Sequence, residues 1–187
     1  MRPLSLALLL LAAPAAHAQS PSPVAPPTEA GPPGPDRRIV IAGTTLTLRP
    51  SADGFVDVTL TAPAARVHEV LAASLGDVGL AVKEMDPRVQ QVGTGPFRAQ
   101  FRIGKQRLST FIDCGVDAQG LRQADSFSLM MRVTTQVVQE SETRATVRTL
   151  VQANGRPAST SGNDIRCPST GLLEERIAEA VAKRLAG

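Results

Sequence analysis

Two long alternating runs leave this chain little choice of sheet. Phe127, Leu129, Met131, Val133 and Val137 share one parity, and so do Ala145, Val147, Thr149 and Val151 in the run that follows. A strand turns successive side chains to opposite faces, so each run has one dry face and one wet face. Residues 97–103 repeat the pattern, with Phe97, Ala99, Phe101 and Ile103 on one side and Arg98, Gln100 and Arg102 on the other. No helical periodicity intervenes between these strands, and parallel neighbours would need crossover connections. The sheet is therefore expected to be antiparallel with one dry face.

The remaining elements fill in around it. Residues 44–48 and 55–61 read as strands joined by the turn-forming stretch 49–54. Pro63 suits the start of a helix, where its missing N–H is not needed. Val67, Val70, Leu71, Ser74 and Leu75 then give one apolar stripe, and Gly76 or Gly79 should stop it. Residues 80–84, 88–92 and 108–114 read as further strands, with turns at Pro87, 93–96 and 104–106, and with loops at 115–125 and 154–164. The connection 139–142 lacks the glycine of a tight hairpin. Of the two registers that keep the dry faces together, one sets Arg132 opposite Arg148. The other opens a five-residue loop and sets Arg132 beside Leu150; it is preferred because it avoids opposing like charges. A helix from about Ser169 to Leu185 closes the chain, with Leu173, Ile177, Val181 and Leu185 at four-residue steps. Ser169 or Thr170 can cap it, Glu174 and Glu175 suit its positive end, and Lys183 and Arg184 its negative end. The expected fold is α+β: a curved antiparallel sheet of about six to eight strands, with both helices on its dry face.

The ends indicate an address. Residues 1–18 have the parts of a secretory leader: Arg2, an apolar run at 4–13, and Ala16-His17-Ala18 as the cleavage site. Residues 19–36 contain seven prolines and little that could pack, which makes them a disordered tether. One domain is left, residues 37–187, in a periplasmic or secreted protein. No segment approaches the roughly twenty apolar residues of a membrane span. The chain has two cysteines, and in an exported protein Cys114 and Cys167 are expected to form a disulfide that pins the last helix to the sheet.

Composition excludes more than it suggests. The formal charge of +3 falls to +2 once Arg2 is removed, too low for tracking nucleic-acid phosphates. Trp and Tyr are absent and the five Phe lie in expected strands, so stacking platforms for sugars or unpaired bases are not expected. His68 is the only histidine after the leader, no CxxC occurs, and no loop has calcium spacing, so no metal or other cofactor is expected. There is no Gly-x-Ser-x-Gly elbow, and Ser159-Thr160-Ser161-Gly162 and Ser169-Thr170-Gly171 have no lysine or histidine close in sequence. No catalytic set emerges. If the fold holds a ligand, Phe97, Phe101, Phe111, Met131, Val133 and Leu173 are the lining candidates. Arg98, Arg102, Arg132 and Arg148 on the wet face are candidates for an anion patch.

The corner Val58-Thr59-Leu60-Thr61-Ala62-Pro63-Ala64-Ala65-Arg66-Val67 resembles the strand-to-helix turn of the helix-grip superfamily, which includes the START and Bet v 1 domains. The order helix, antiparallel sheet, C-terminal helix is also similar. The resemblance implies an apolar ligand held between the sheet and the last helix. The chain departs from that pattern in its short last helix, its extra N-terminal strand, and His68 where an aromatic is common. The functional expectation is a non-enzymatic exported module that binds an apolar small molecule or lipid, or alternatively an envelope protein in the role of an assembly accessory.

Overall fold

The computed structural model describes residues 35–41, 44–156 and 164–187. The expected leader at 1–18, the expected tether at 19–36 up to its last two residues, and the hydroxyl-rich stretch 159–162 lie outside them.

The fold is α+β, built among the described residues on one antiparallel sheet of nine strands. The strands run in the order β1 (Arg37–Ile41), β2 (Thr44–Pro50), β3 (Val56–Leu60), β10 (Arg144–Arg156), β9 (Ser128–Ser141), β5 (Gln91–Gly93) and β4 (Glu84–Asp86). β6 (Phe97–Ala99) continues along the same edge of β9 as β5, and β11 (Ile165–Arg166) flanks the far end of β10. β7 (Arg102–Ile103) and β8 (Gln106–Arg107) pair with each other as a separate hairpin. The strand count exceeds the expected six to eight because several strands are only two or three residues long. β1, a β-branched run ahead of the first expected strand, was not anticipated.

Two helices, α1 (Ala64–Asp77) and α3 (Leu172–Ala186), pack on each other and on the dry face of the sheet. Their buried stripes, Val67, Leu71 and Leu75 on α1 and Leu173, Ile177 and Val181 on α3, meet Leu129, Met131 and Val133 of β9 and Ala145 and Val147 of β10 in one core. Gly79 ends α1 at φ +86°, with its N–H on the Gly76 carbonyl and the Leu80 N–H on the Leu75 carbonyl. This paired closure satisfies two of the carbonyls that the helix end leaves without an intrahelical partner. It also uses Leu80, so the strand expected at 80–84 begins only at Glu84.

The β9–β10 hairpin corrects the expected register. Arg132 faces Gln152 and Arg148 faces Gln136, so neither anticipated pairing forms. The strands run on to Ser141 and Arg144, where the register shifts at Arg144/Ala145. A bulge adds twist and lets a short turn close without glycine. The alternation also extends past Val151 through Ala153 and Gly155, into what was expected to be loop.

Three further corrections have local causes. Residues 93–96 make no hairpin turn. β5 and β6 pair the same edge of β9, one register apart, and Thr94 fills the break: its N–H donates to the Val133 carbonyl and its hydroxyl accepts the Val133 N–H. The strand expected at 108–114 is instead the helical turn α2 (Leu108–Phe111). Asp125 caps it from a distance, accepting the Ser109 N–H at 2.9 Å and the Ser109 hydroxyl at 2.7 Å. Asp125 belongs to a 3-10 turn (Gln123–Asp125) inside the expected loop. Finally, the alternation at 97–103 breaks at Phe101, which takes φ +64° while the Arg102 N–H closes onto the Gln100 carbonyl. That tight turn separates β6 from β7 and leaves Phe101 in solvent.

The expected disulfide forms, but it does not pin the last helix to the sheet, because Cys114 follows the α2 turn rather than ending a strand. Cys114 and Cys167 are bonded, with Cα atoms 4.6 Å apart. The link ties the residues after α2 to the approach to α3, and backbone bonds reinforce it: Asp113 N–H to the Pro168 carbonyl, Thr170 N–H to the Phe111 carbonyl, and Cys167 N–H to the Ala153 carbonyl. Among the described residues no helix is long and apolar enough to cross a membrane.

The first turn of α3 holds the one deeply buried carboxyl among the described residues. Glu174 is 3% exposed and its Oε2 accepts the Ser169 hydroxyl at 2.9 Å. Burial pushes its pKa above the ordinary carboxylate value, against the pull of the Ser169 hydroxyl and of Arg37. A carboxyl raised by folding favours the native state when protonated. Its contribution is whole below the unfolded pKa of about 4.3 and is lost as pH rises through the folded value. Glu174→Gln keeps an acceptor for Ser169 and removes the charge. The variant is expected to melt a few degrees above the parent at neutral pH, with the gap closing below about pH 4. A variant less stable than the parent at pH 7 would show that the carboxylate is instead charged and held by Arg37.

Candidate functional site

The two faces of the sheet offer different chemistry. On the dry face, Met131, Val133 and Leu173 are 1%, 0% and 0% exposed, which leaves no water-sized gap against them. Phe111 is buried in α2 and Phe97 is half-buried. Phe101 does not join them, because the turn that carries it points it outward at 64% exposure. Five of the six lining candidates are therefore core or core-margin residues, and the sixth lies outside.

The arginine candidates also separate. Arg148 lies over the ring of Phe55 at 4.7 Å and binds Asp57 at 3.1 Å and Asp53 at 2.6 Å. The Ser51 hydroxyl and then Arg148 hold the Asp53 carboxyl below its ordinary pKa. The loop between β2 and β3 is thus folded onto the outer face of β10, and Arg148 is engaged within it. Arg102 sits in the β7–β8 hairpin and donates to the Lys105 carbonyl. Arg98 and Arg132 remain as neighbours on the outer face near β9.

Register brings new residues to them. Arg98 pairs with Met130, Met130 with Asn154, and Asn154 with Arg166, so these four form one row across β6, β9, β10 and β11. Paired residues in an antiparallel sheet project to the same face. Gln152 and Arg132 form the next row, and Arg156 stands on the other side of Asn154. An open groove of about 230 Å³ lies here, lined by Pro96, Met130, Arg132, Gln152, Asn154 and Arg166. Arg132 donates to both oxygens of Glu84 at 2.7 and 2.9 Å, and Arg156 to Asp164 at 2.7 Å. Among the described residues no carboxylate pairs with Arg98 or Arg166. Reading β10 as ending at Val151 hid this site. The signal for it was the continued alternation of Ala153 and Gly155 against Gln152, Asn154 and Arg156.

Of the polar groups considered for catalysis, the cysteine sulfurs, Ser169 and Thr170 are engaged in structural bonds, while the hydroxyls at 159–162 lie outside the described residues. Both sulfurs are in the disulfide, so His68 has no thiol to activate; it lies on α1 with its Nε2 buried and unpartnered. The Ser169 hydroxyl serves Glu174 and accepts the Gly171 N–H, while the Thr170 hydroxyl donates to the Thr110 carbonyl. These bonds fasten the entry to α3. No group of three or more potential metal ligands occurs among the described residues.

No protein-family model, no curated protein and no solved structure matches this chain.

Proposed function

We propose that this chain is a non-enzymatic exported module that docks a protein of the cell envelope on the outer face of its sheet. One observation carries the reading: the space between sheet and helices is filled, while the outer face keeps an open groove beside Arg98 and Arg166, which pair with no carboxylate among the described residues. Export is supported by the leader-like residues 1–18 and by the disulfide, which persists in oxidising compartments. The tether at 19–36 would give the domain reach. The apolar-ligand reading that the helix-grip resemblance implies needs space against Met131, Val133 or Leu173. Those side chains are closed over on all sides.

A photo-crosslinking residue at Gln152, in the groove, or at Lys183, exposed on α3, tests the proposal in cells. The expected result is a discrete protein adduct from position 152 and none from 183. Equal adducts from both positions would reject the docking face. So would native mass spectrometry showing a stoichiometric apolar molecule in the purified protein.

A further inference from the structure

Resting on that reading, we infer that the groove binds an extended acidic segment of the partner, with two carboxylates about four residues apart. The row Arg98–Met130–Asn154–Arg166 crosses four adjacent strands. Three interstrand spacings place the two arginine backbones roughly 14 Å apart. In an extended peptide, side chains four residues apart share a face and are separated by roughly 13 Å. One carboxylate can therefore reach each guanidinium, and each such pair is a charge-assisted hydrogen bond open to bidentate geometry.

The floor between the two ends suits a peptide. Met130 is 44% exposed and offers an adaptable apolar contact. Asn154 and Gln152 both donate and accept, which matches the N–H and C=O of a passing main chain. The site is charged but not uniformly so: Glu84 on Arg132 and Asp164 on Arg156 flank it at either side. A bilayer of anionic headgroups would meet those carboxylates, whereas a single narrow chain passes between them. No aromatic lines the groove, so unpaired bases and sugars find no stacking surface.

Fluorescence anisotropy on the full exported chain can test this. The probe is a labelled threonine–valine peptide bearing two glutamates four residues apart. Its controls are the lysine counterpart and vesicles of phosphatidylglycerol in phosphatidylcholine. The glutamate peptide should bind with a Kd of roughly 10–100 μM at low salt and weaken as salt rises. Arg98→Ala and Arg166→Ala should each raise that Kd about tenfold, and Arg144→Ala, at the far hairpin, should leave it unchanged. All three arginine sites are exposed, so melting curves of the variants should match the parent.

The inference is overturned if the Arg98→Ala and Arg166→Ala proteins bind as tightly as the parent, or if the lysine peptide binds equally well. It is overturned too if the vesicles retain the protein while the glutamate peptide stays free, or if that peptide does not bind at low salt. The crosslink at Gln152 separates the two levels of the proposal. An adduct that persists at full yield in the Arg98→Ala/Arg166→Ala double variant removes the acidic segment and leaves the docking face. No adduct in the parent removes the docking face itself.

Discussion

Cys114→Ser should lower the melting temperature of the oxidised protein by roughly 8–16 °C. The bond closes a loop with a sequence separation of 53 residues. In the chain-entropy description, losing that closure costs about 4 kcal/mol, and in a domain of this size each kcal/mol moves Tm by roughly 2–4 °C. The site gives the replacement little relief. Cys167 is 2% exposed and Cys114 8%, so a serine hydroxyl there would need a partner of its own. The loss should be felt at the entry to α3, where the disulfide acts together with the bonds from Asp113, Thr170 and Cys167. Parent protein in strong reductant should melt close to the variant, and Cys167→Ser should behave alike. A variant melting within about 2 °C of the oxidised parent would show that the backbone bonds alone hold this junction.

Gly79→Ala is the second large effect expected, at roughly 2–5 kcal/mol of destabilisation. Two costs combine. The residue sits at φ +86°, where a side chain costs about 1–2 kcal/mol. A Cβ there would also lie 2.8 Å from both the Cα and the N of Gly104. Those are backbone atoms that cannot rotate away, so relief requires moving the β7–β8 hairpin off the end of α1, an overpacking cost of about 1–3 kcal/mol. Gly76 provides the contrast within the same helix: a Cβ there meets nothing within 4 Å. Gly76→Ala should be neutral, or stabilising by up to about 1 kcal/mol through helix propensity. Denaturant titrations of the two variants compare the sites directly. Equal stabilities would mean that the contact between Gly79 and Gly104 yields at no cost.

Much of the core was readable because periodicity reports burial. Every apolar residue assigned to the dry faces of β9 and β10 is buried, as are Val67, Leu71 and Leu75 of α1 and Leu173, Ile177 and Val181 of α3. The errors lie where a distant group decided the local backbone. Leu108 and Phe111 lie three residues apart, on opposite faces of a strand but on one face of a helical turn, and both are buried in the turn that the Asp125 carboxylate caps. Phe101 obeyed the alternation in sequence and not in space, because one residue at positive φ separates β6 from β7. The hairpin register failed because charge avoidance chose between two pairings, neither of which extends β9 and β10 to Ser141 and Arg144 through the bulge that sets Arg132 against Gln152.

The sequence by itself determined the elements that repeat a simple period: two amphipathic helices, an antiparallel sheet with one dry face, and a pair of cysteines that an exported domain would join. These follow from the geometry of the single helix or strand, which fixes which side chains share a face without reference to any partner. Only the tertiary structure decided which wet-face residues stand together. Arg148 and Arg132 look equivalent in the sequence, yet Arg148 is held under the β2–β3 loop while Arg132 borders the groove. Arg98 and Arg166, 68 positions apart in the sequence, share one row because β10 runs past its expected end and β9 and β10 each recruit a short strand. Such neighbourhoods depend on register and on short-strand pairing, both long-range properties. No local pattern of residues encodes them.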